Sequence, residues 1–201
     1  MSQLSLFDPS DTVLADDERG RITYTPGFID PETARSWFEE LRTTVNWRGE
    51  RRMIYEREVD VPRLMASFRL DSASENTPAC ILDGARRVSA HLDVFFNSVG
   101  LNRYRDGRDS VAPHGDKMHM LVAGHPIALL SLGATRRMTI RAKDGARLRV
   151  DIDLAPGSLL VMSHAAQSTH EHGIPKTKAA VGPRLSVVFR VRSSVDRPYD
   201  G

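Results

Sequence analysis

His114 and Asp116 stand two residues apart at the end of the stretch Asn102-Arg-Tyr104-Arg-Asp-Gly107-Arg-Asp109-Ser-Val-Ala-Pro-His114-Gly-Asp116. In an extended segment, residues i and i+2 project from the same face, so this imidazole and carboxylate can converge on one ion. Further along come His172-Gly-Ile-Pro175-Lys176 and Arg184-Leu-Ser-Val-Val-Phe-Arg190. Two imidazoles and one carboxylate can hold one face of Fe(II), leaving the opposite face open to O2 and a chelating cosubstrate. An arginine offers a planar fork for a carboxylate of that cosubstrate.

A His-x-Asp pair taken alone is a common accident. Of the seven histidines (91, 114, 119, 125, 164, 170 and 172), only His114 has a nearby carboxylate in a form that suits chelation. For the third ligand His172 is best placed, because Gly173-Ile-Pro175 turns the chain just after it. His170 lies on the same face of an extended stretch and suits a supporting or substrate-facing role, while His164 could simply close a loop. Zinc is the rival metal, since its catalytic sites also take three protein ligands and a water. Arg184 favours iron: it follows His172 by 12 residues, enough for a turn and a return strand. A hydrolytic zinc site needs no buried guanidinium there, whereas a dicarboxylate cosubstrate does.

These residues need elements to position them. The 201 residues, 40% hydrophobic and 27% charged, fit one globular domain with a full core. Residues 1 to about 20 are acidic and polar, and are expected to form a flexible N-terminal arm. Arg21–Thr25 reads as a strand. Asp30-Pro31-Glu32 reads as a helix start, followed by Ala34, Trp37, Phe38 and Leu41 as core anchors at helical spacing. Residues 44 to 70 look like short strands with basic turns, and about 79 to 98 like a second helix. From 99 onward short β-branched and apolar segments recur: 99–104, 127–132, 138–142, 148–152, 158–162 and 184–191, with Asp144-Gly145 as a hairpin turn. The expected fold class is α+β, mainly β: a double-stranded β-helix (jelly-roll, cupin-like) core with N-terminal helices and short strands packed on it. The expected organisation is an arm over 1–20, an α/β extension and substrate-recognition lid over 21–98, and the jelly-roll core over 99–193, forming a single domain overall.

The lone Cys80 excludes an internal disulfide framework and reads as a small buried hydrophobe. No apolar run approaches the roughly 20 residues that span a bilayer, and Met1-Ser-Gln-Leu-Ser-Leu-Phe7 lacks the pattern of a secretory signal. A cytoplasmic monomer without membrane partners is expected. The net charge of +2 is a weak argument for a nucleic-acid partner. Local clusters are more suggestive: Arg48, Arg51, Arg52 and Arg57; Arg103, Arg105 and Arg108; Arg136, Arg137, Arg141 and Lys143. Each could equally be a solvated face balanced by neighbouring acids.

Taken in order, the motifs resemble those of the AlkB-type Fe(II)/2-oxoglutarate dioxygenases, from about residue 55 to 190. Asn102-x-Tyr104-x-x-Gly107-x-Asp109 is similar to the family's cosubstrate strand and turn, and His114-x-Asp116 to its first two iron ligands. Ser131-Leu-Gly-Ala-Thr-Arg136 and Gly157-Ser-Leu-Leu-Val-Met162 are similar to two of its strands. His172-x-x-Pro175-Lys176 is similar to the distal ligand segment, and Arg184-x-Ser-x-Val-Phe-Arg190 to the closing motif. The resemblance implies that His114, Asp116 and His172 bind Fe(II) and that Asn102, Tyr104 and Ser186 contact 2-oxoglutarate. It further implies that Arg184 pairs with the distal carboxylate of 2-oxoglutarate and that Arg190 sits near its iron-bound end. The implied chemistry is oxidative decarboxylation of 2-oxoglutarate by O2, coupled to oxidation of a C–H bond.

The departures fall on the substrate side. Ser186 and Val188 replace the family's Asn and Thr, Pro113 replaces an aromatic, and Lys117-Met118-His119 follows the ligands in place of acidic residues. Val61-Pro-Arg63-Leu64 matches a family segment, but a Tyr-rich stretch after it is missing. The expected substrate contacts are Arg63, Phe68, Met118, His119 and His170. The resemblance implies oxidative demethylation of alkylated nucleobases (1-methyladenine and 3-methylcytosine type lesions) in DNA or RNA, releasing formaldehyde, succinate and CO2. The alternatives are the same chemistry on a protein side chain or small metabolite, and a domain that binds metal and 2-oxoglutarate without turnover.

Overall fold

The computed structural model describes residues 11–54, 57–72, 76–143, 145 and 149–193, and the side chains of 52–60 lie outside that description. Helix α1 (Pro31–Thr44) starts as its sequence predicts: the Asp30 carboxylate accepts the Thr33 N–H at 2.9 Å, and Pro31 occupies the first turn, where no donor is needed. It buries Ala34, Trp37 and Leu41, with Phe38 packed alongside. Helix α2 (Ala79–Leu92) buries Cys80, Ile81, Gly84 and Val88. It stops short of the expected end near 98, because Asp93 takes a left-handed φ of 51° and closes the helix. Beyond it Phe95 is 73% exposed and Phe96 only 2%. That alternation belongs to extended chain, although Val94-Phe-Phe is as apolar as a helix face.

The strands are β1 (Thr12–Asp17), β2 (Gly20–Thr25), β3 (Arg48–Ile54), β4 (Arg57–Arg69), β5 (Ser98–Tyr104), β6 (Val111–His114), β7 (Ile127–Gly133), β8 (Arg136–Ala142), β9 (Arg149–Leu154), β10 (Leu159–Met162), β11 (His170–Ile174) and β12 (Arg184–Arg190). A six-residue helix, α3 (His164–Thr169), precedes β11. Two antiparallel sheets result: a main sheet in the order β1-β2-β10-β7-β12-β5-β4-β3 and a smaller one in the order β6-β11-β8-β9. This is the mainly β, jelly-roll architecture expected.

Two apolar clusters hold it together. One joins α1 and α2 to the outer face of the main sheet through Leu130, Leu132, Leu185, Val187 and Phe189. The other lies between the sheets, with Ile22, Leu129, Met138, Ile140, Leu160 and Val188. The N-terminal region does not stand apart from the core: β4 pairs with β5 from Leu64↔Arg103 to Arg69↔Ser98, continuing the main sheet. Part of the expected loose arm is also strand, since β1 pairs with β2 from Asp17↔Gly20 to Thr12↔Tyr24. Its Leu14 and Ala15 pack, partly buried, against the inter-sheet cluster, while Val13 stays exposed. Residues 1–10, and Asp144 of the expected hairpin turn, lie outside the described residues, although β8 and β9 do pair across that turn.

Candidate metal centre and cosubstrate pocket

Strands β6 and β11, which the sequence marks only as extended stretches around their histidines, both carry ligand candidates. β6 contains Pro113, and His-Glu-His-Gly in β11 has no β-branched alternation. Pairing makes them strands: β11 lies between β6 and β8, with His172 opposite both His114 and Ile140. That register brings the two imidazoles together, their ring centroids 4.6 Å apart. Asp116 follows on the turn after β6. One ligand atom from each of His114, Asp116 and His172 falls within 4.8 Å of the others, the one such cluster of His, Cys, Asp or Glu among the described residues.

The electrostatics suit a cation. His114 Nδ1 lies 2.9 Å from the Ala112 carbonyl oxygen, which can only accept, so Nδ1 is the donor there and Nε2 is the nitrogen left for a metal. Burial, reinforced by the neighbouring His114, pushes His172 down to about 3, so its imidazole stays neutral. Burial alone would raise the Asp116 carboxyl, but the charge and hydrogen bond of Arg190 outweigh it and hold the group at about 2. Arg190 Nε donates to Asp116 Oδ2 at 2.5 Å. Gly100 makes room for this arginine: a Cβ there would come within 3.0 Å of Arg190 Nη1.

Inside the main sheet, residues at alternate positions of β5, β7 and β12 build a polar pocket. Arg184 is paired in register with Tyr104 on one side and Gly133 on the other, and is 0% exposed. Its Nε donates to Ser131 Oγ at 3.1 Å. Both terminal nitrogens are buried without a hydrogen-bond partner. Burial lowers this guanidinium to about 10, so it remains a cation at neutral pH. A buried, half-satisfied cation is costly unless an anion joins it, and a planar guanidinium with two free donors matches a carboxylate. The residues therefore fit a dicarboxylate. Tyr104 lies between Arg184 and Arg136, whose guanidinium carbons are 5.2 Å and 5.8 Å from its ring centroid. Asn102 Oδ1 accepts from Arg63 Nε at 2.8 Å, and its Nδ2 approaches Ser186 Oγ at 3.4 Å.

Of the expected substrate contacts, Arg63 reaches this pocket, but through Asn102. Phe68 does not: it shares the face of β4 that carries Ala66 and packs against the helix-side cluster. Strand alternation decides this, since 63 and 68 differ by an odd number of residues. Met118 and His119 form the short 3-10 turn just after Asp116, His119 exposed and Met118 partly buried. His170 is buried on the face of β11 that carries His172, its Nδ1 2.9 Å from Thr169 Oγ1. His164 opens α3 and is outside the cluster.

The basic clusters largely resolve into internal pairs. Arg136 is buried and donates to the carbonyls of Asp106, Asp109 and Pro175. Arg103 donates to the Arg42 carbonyl and lies over Trp47. Arg105, Arg108, Arg137 and Arg141 pair with Asp109, Asp106, Asp153 and Glu171. Arg48 and Arg51 are exposed on β3, while the side chains of Arg52 and Arg57 lie outside the described residues. The sequence marks Ser131 and Arg136 as parts of one strand motif and Arg136 as a member of a basic cluster. The spacing within Ser131-Leu-Gly-Ala-Thr-Arg136, which straddles a turn between two strands, was the available signal that both turn inward.

The model of the 2OG-Fe(II) oxygenase superfamily matches residues 21–190. The chain is 40% identical over 111 residues to "DNA oxidative demethylase ALKBH2" of Bos taurus, covering 52% of this chain and 40% of that protein. It is 30% identical over 187 residues to "Alpha-ketoglutarate-dependent dioxygenase alkB homolog 3" of Bos taurus, covering 85% of this chain and 65% of that one. It thus spans less than two thirds of the length of either relative. The solved structure of OsALKBH1 superposes with a TM-score of 0.60 at 14% identity, covering 90% of this chain and 100% of the other, a likeness of fold. With its motifs in order and its ligand candidates gathered by the pairing of β6 with β11, the chain belongs to the 2OG-Fe(II) oxygenase superfamily and is of the AlkB type within it.

Proposed function

We propose that this oxygenase removes N-linked alkyl groups from nucleobases in DNA or RNA, with His114, Asp116 and His172 as the iron ligands. The observation that carries the reading is the pairing of a compact His-Asp-His cluster with a buried guanidinium, Arg184, whose two free donors await a carboxylate. The superfamily's cofactors are Fe(II), 2-oxoglutarate and O2. When bound, they supply oxidation of a C–H bond, while 2-oxoglutarate leaves as succinate and CO2.

The chain's own residues bind and orient. Arg184 takes the distal carboxylate of 2-oxoglutarate, with Ser131 holding the guanidinium in place. Asn102, Tyr104 and Ser186 line the same inner face and add polar contacts along the cosubstrate. Arg190 keeps Asp116 ionised and aligned. A methyl group on a ring nitrogen, once hydroxylated, is lost as formaldehyde: the C–N bond breaks, its electron pair returns to the ring nitrogen, and the hydroxyl proton is released. Nucleobase specificity draws its support from the demethylase named among the relatives. Arg48, exposed on β3, offers a phosphate contact.

The test is formaldehyde release from oligonucleotides carrying 1-methyladenine or 3-methylcytosine, with Fe(II) and 2-oxoglutarate each omitted in turn. Release that needs both is the expected result. Succinate formed without formaldehyde from either lesion overturns the nucleobase reading and directs the search to protein or metabolite substrates.

A further inference from the structure

Gln167, on α3, serves neither the metal cluster nor the cosubstrate pocket directly, yet it is 1% exposed. Its Oε1 accepts the backbone N–H of Asp116 at 3.2 Å, a contact between residues 51 apart in the chain. Only the carbonyl end of an amide can face an N–H, so the orientation of the side chain is settled. The cost is visible at the other end: Nε2 is buried with no hydrogen-bond partner. A native fold rarely leaves a buried amide donor unmatched, so the bond that Oε1 makes is the one the site needs.

The helix that carries Gln167 is itself tied down. Ser163 Oγ accepts from Ala166 N and from Arg21 N, and Thr169 Oγ1 donates to the Arg19 carbonyl at 2.6 Å, which anchors both ends of α3 to β2 and the turn before it. The Gln167 carbonyl accepts from Lys143 Nζ at 3.0 Å. Gly115, between the two ligand candidates, lies directly against this assembly. A Cβ there would strike the Gln167 carbonyl oxygen and come within 2.8 Å of Lys143 Nζ. The His114-Gly115-Asp116 turn is therefore seated on α3 by close backbone contact and pinned by one side-chain bond.

We infer that Gln167 is a positioning residue for the metal centre: by holding the Asp116 backbone it sets where that carboxylate meets His114 and His172. The inference rests on the reading of those three as metal ligands. Mn(II) binding to the whole chain, followed by titration calorimetry beside thermal unfolding, tests it without turnover. Gln167→Met, which keeps length and loses the acceptor, is expected to weaken Mn(II) binding about 10-fold or more, the usual effect of removing a residue that orients a ligand. Gln167→Glu, which keeps an acceptor in the same place, is expected to restore it. Gln167→Asn, with its reach shortened by a methylene, is expected to show the same loss and serves if the methionine variant does not fold. Wild-type affinity in the methionine or asparagine variant, whatever happens to its melting temperature, overturns the inference, as does a glutamate variant as weak as the methionine one. Asp116→Ala is the control: Mn(II) affinity unchanged there overturns the ligand reading itself, whereas a loss there beside unchanged Gln167 variants overturns the positioning role alone.

Discussion

Neighbouring residues of β12 do opposite things. Leu185, Val187 and Phe189 point outward and lock the main sheet to the helices. Arg184, Ser186 and Arg190 point inward, where one guanidinium keeps two terminal nitrogens without partners and another holds a ligand candidate. A single strand thus carries stability on one face and chemistry on the other, and a slip of one residue in its pairing would exchange them. The close pairing of β12 with both β5 and β7 guards against that slip. The outer face stabilises the fold enough to keep a buried cation poised for an anion within it.

If the faces are separable, inner-face changes should cost function and outer-face changes stability. The largest effect is expected from Asp116→Ala, which removes a ligand candidate and the partner of Arg190. Succinate formation should fall to background while circular dichroism stays native. Phe189→Ala should cost about 3–5 kcal/mol by urea denaturation, the usual range for emptying a buried aromatic site, with 2-oxoglutarate affinity of the folded protein unchanged. If that affinity drops too, the faces are coupled. Arg184→Leu should do the reverse, raising the Kd for 2-oxoglutarate about 10- to 100-fold through loss of a charge-assisted pair, with stability equal to or above wild type because a half-satisfied buried cation is gone. An unchanged Kd would assign the carboxylate to another cation.

The smallest effect sharpens the boundary of the pocket. Burial alone would raise the Asp109 carboxyl, but hydrogen bonds from Arg105 outweigh it and hold it below its ordinary value. A depressed folded value contributes stability above the unfolded value near 3.8 and loses it as pH falls below that. Asp109→Asn should therefore cost about 1–2 kcal/mol at neutral pH and less in acid, so the two urea-denaturation curves should converge as pH is lowered.

How much could be read beforehand follows the same division. Helix α1 was legible because Asp30-Pro31 and its apolar stripe are local signals, and β12 because its apolar residues run nearly unbroken. His114, Asp116 and Arg184 stood out as candidates from residue type and spacing. β11 was legible as an extended stretch but not in its pairing, which depends on neighbours about 30 residues away in sequence, and the inward turn of Arg136 was not legible, since only its carbonyl partners explain it. Phe68 failed for a simpler reason: an aromatic on a strand has two possible faces, and residue type does not choose between them.

The cross-strand position of the two histidines has its own consequence. β6 is a four-residue strand at the edge of the smaller sheet, it contains a proline, and its register with β11 rests on two pairs around an irregularity. An ion gripped by His114 on one strand and His172 on the next would also act as a clasp on that edge. Removing such an ion would then loosen that edge as well as empty the site.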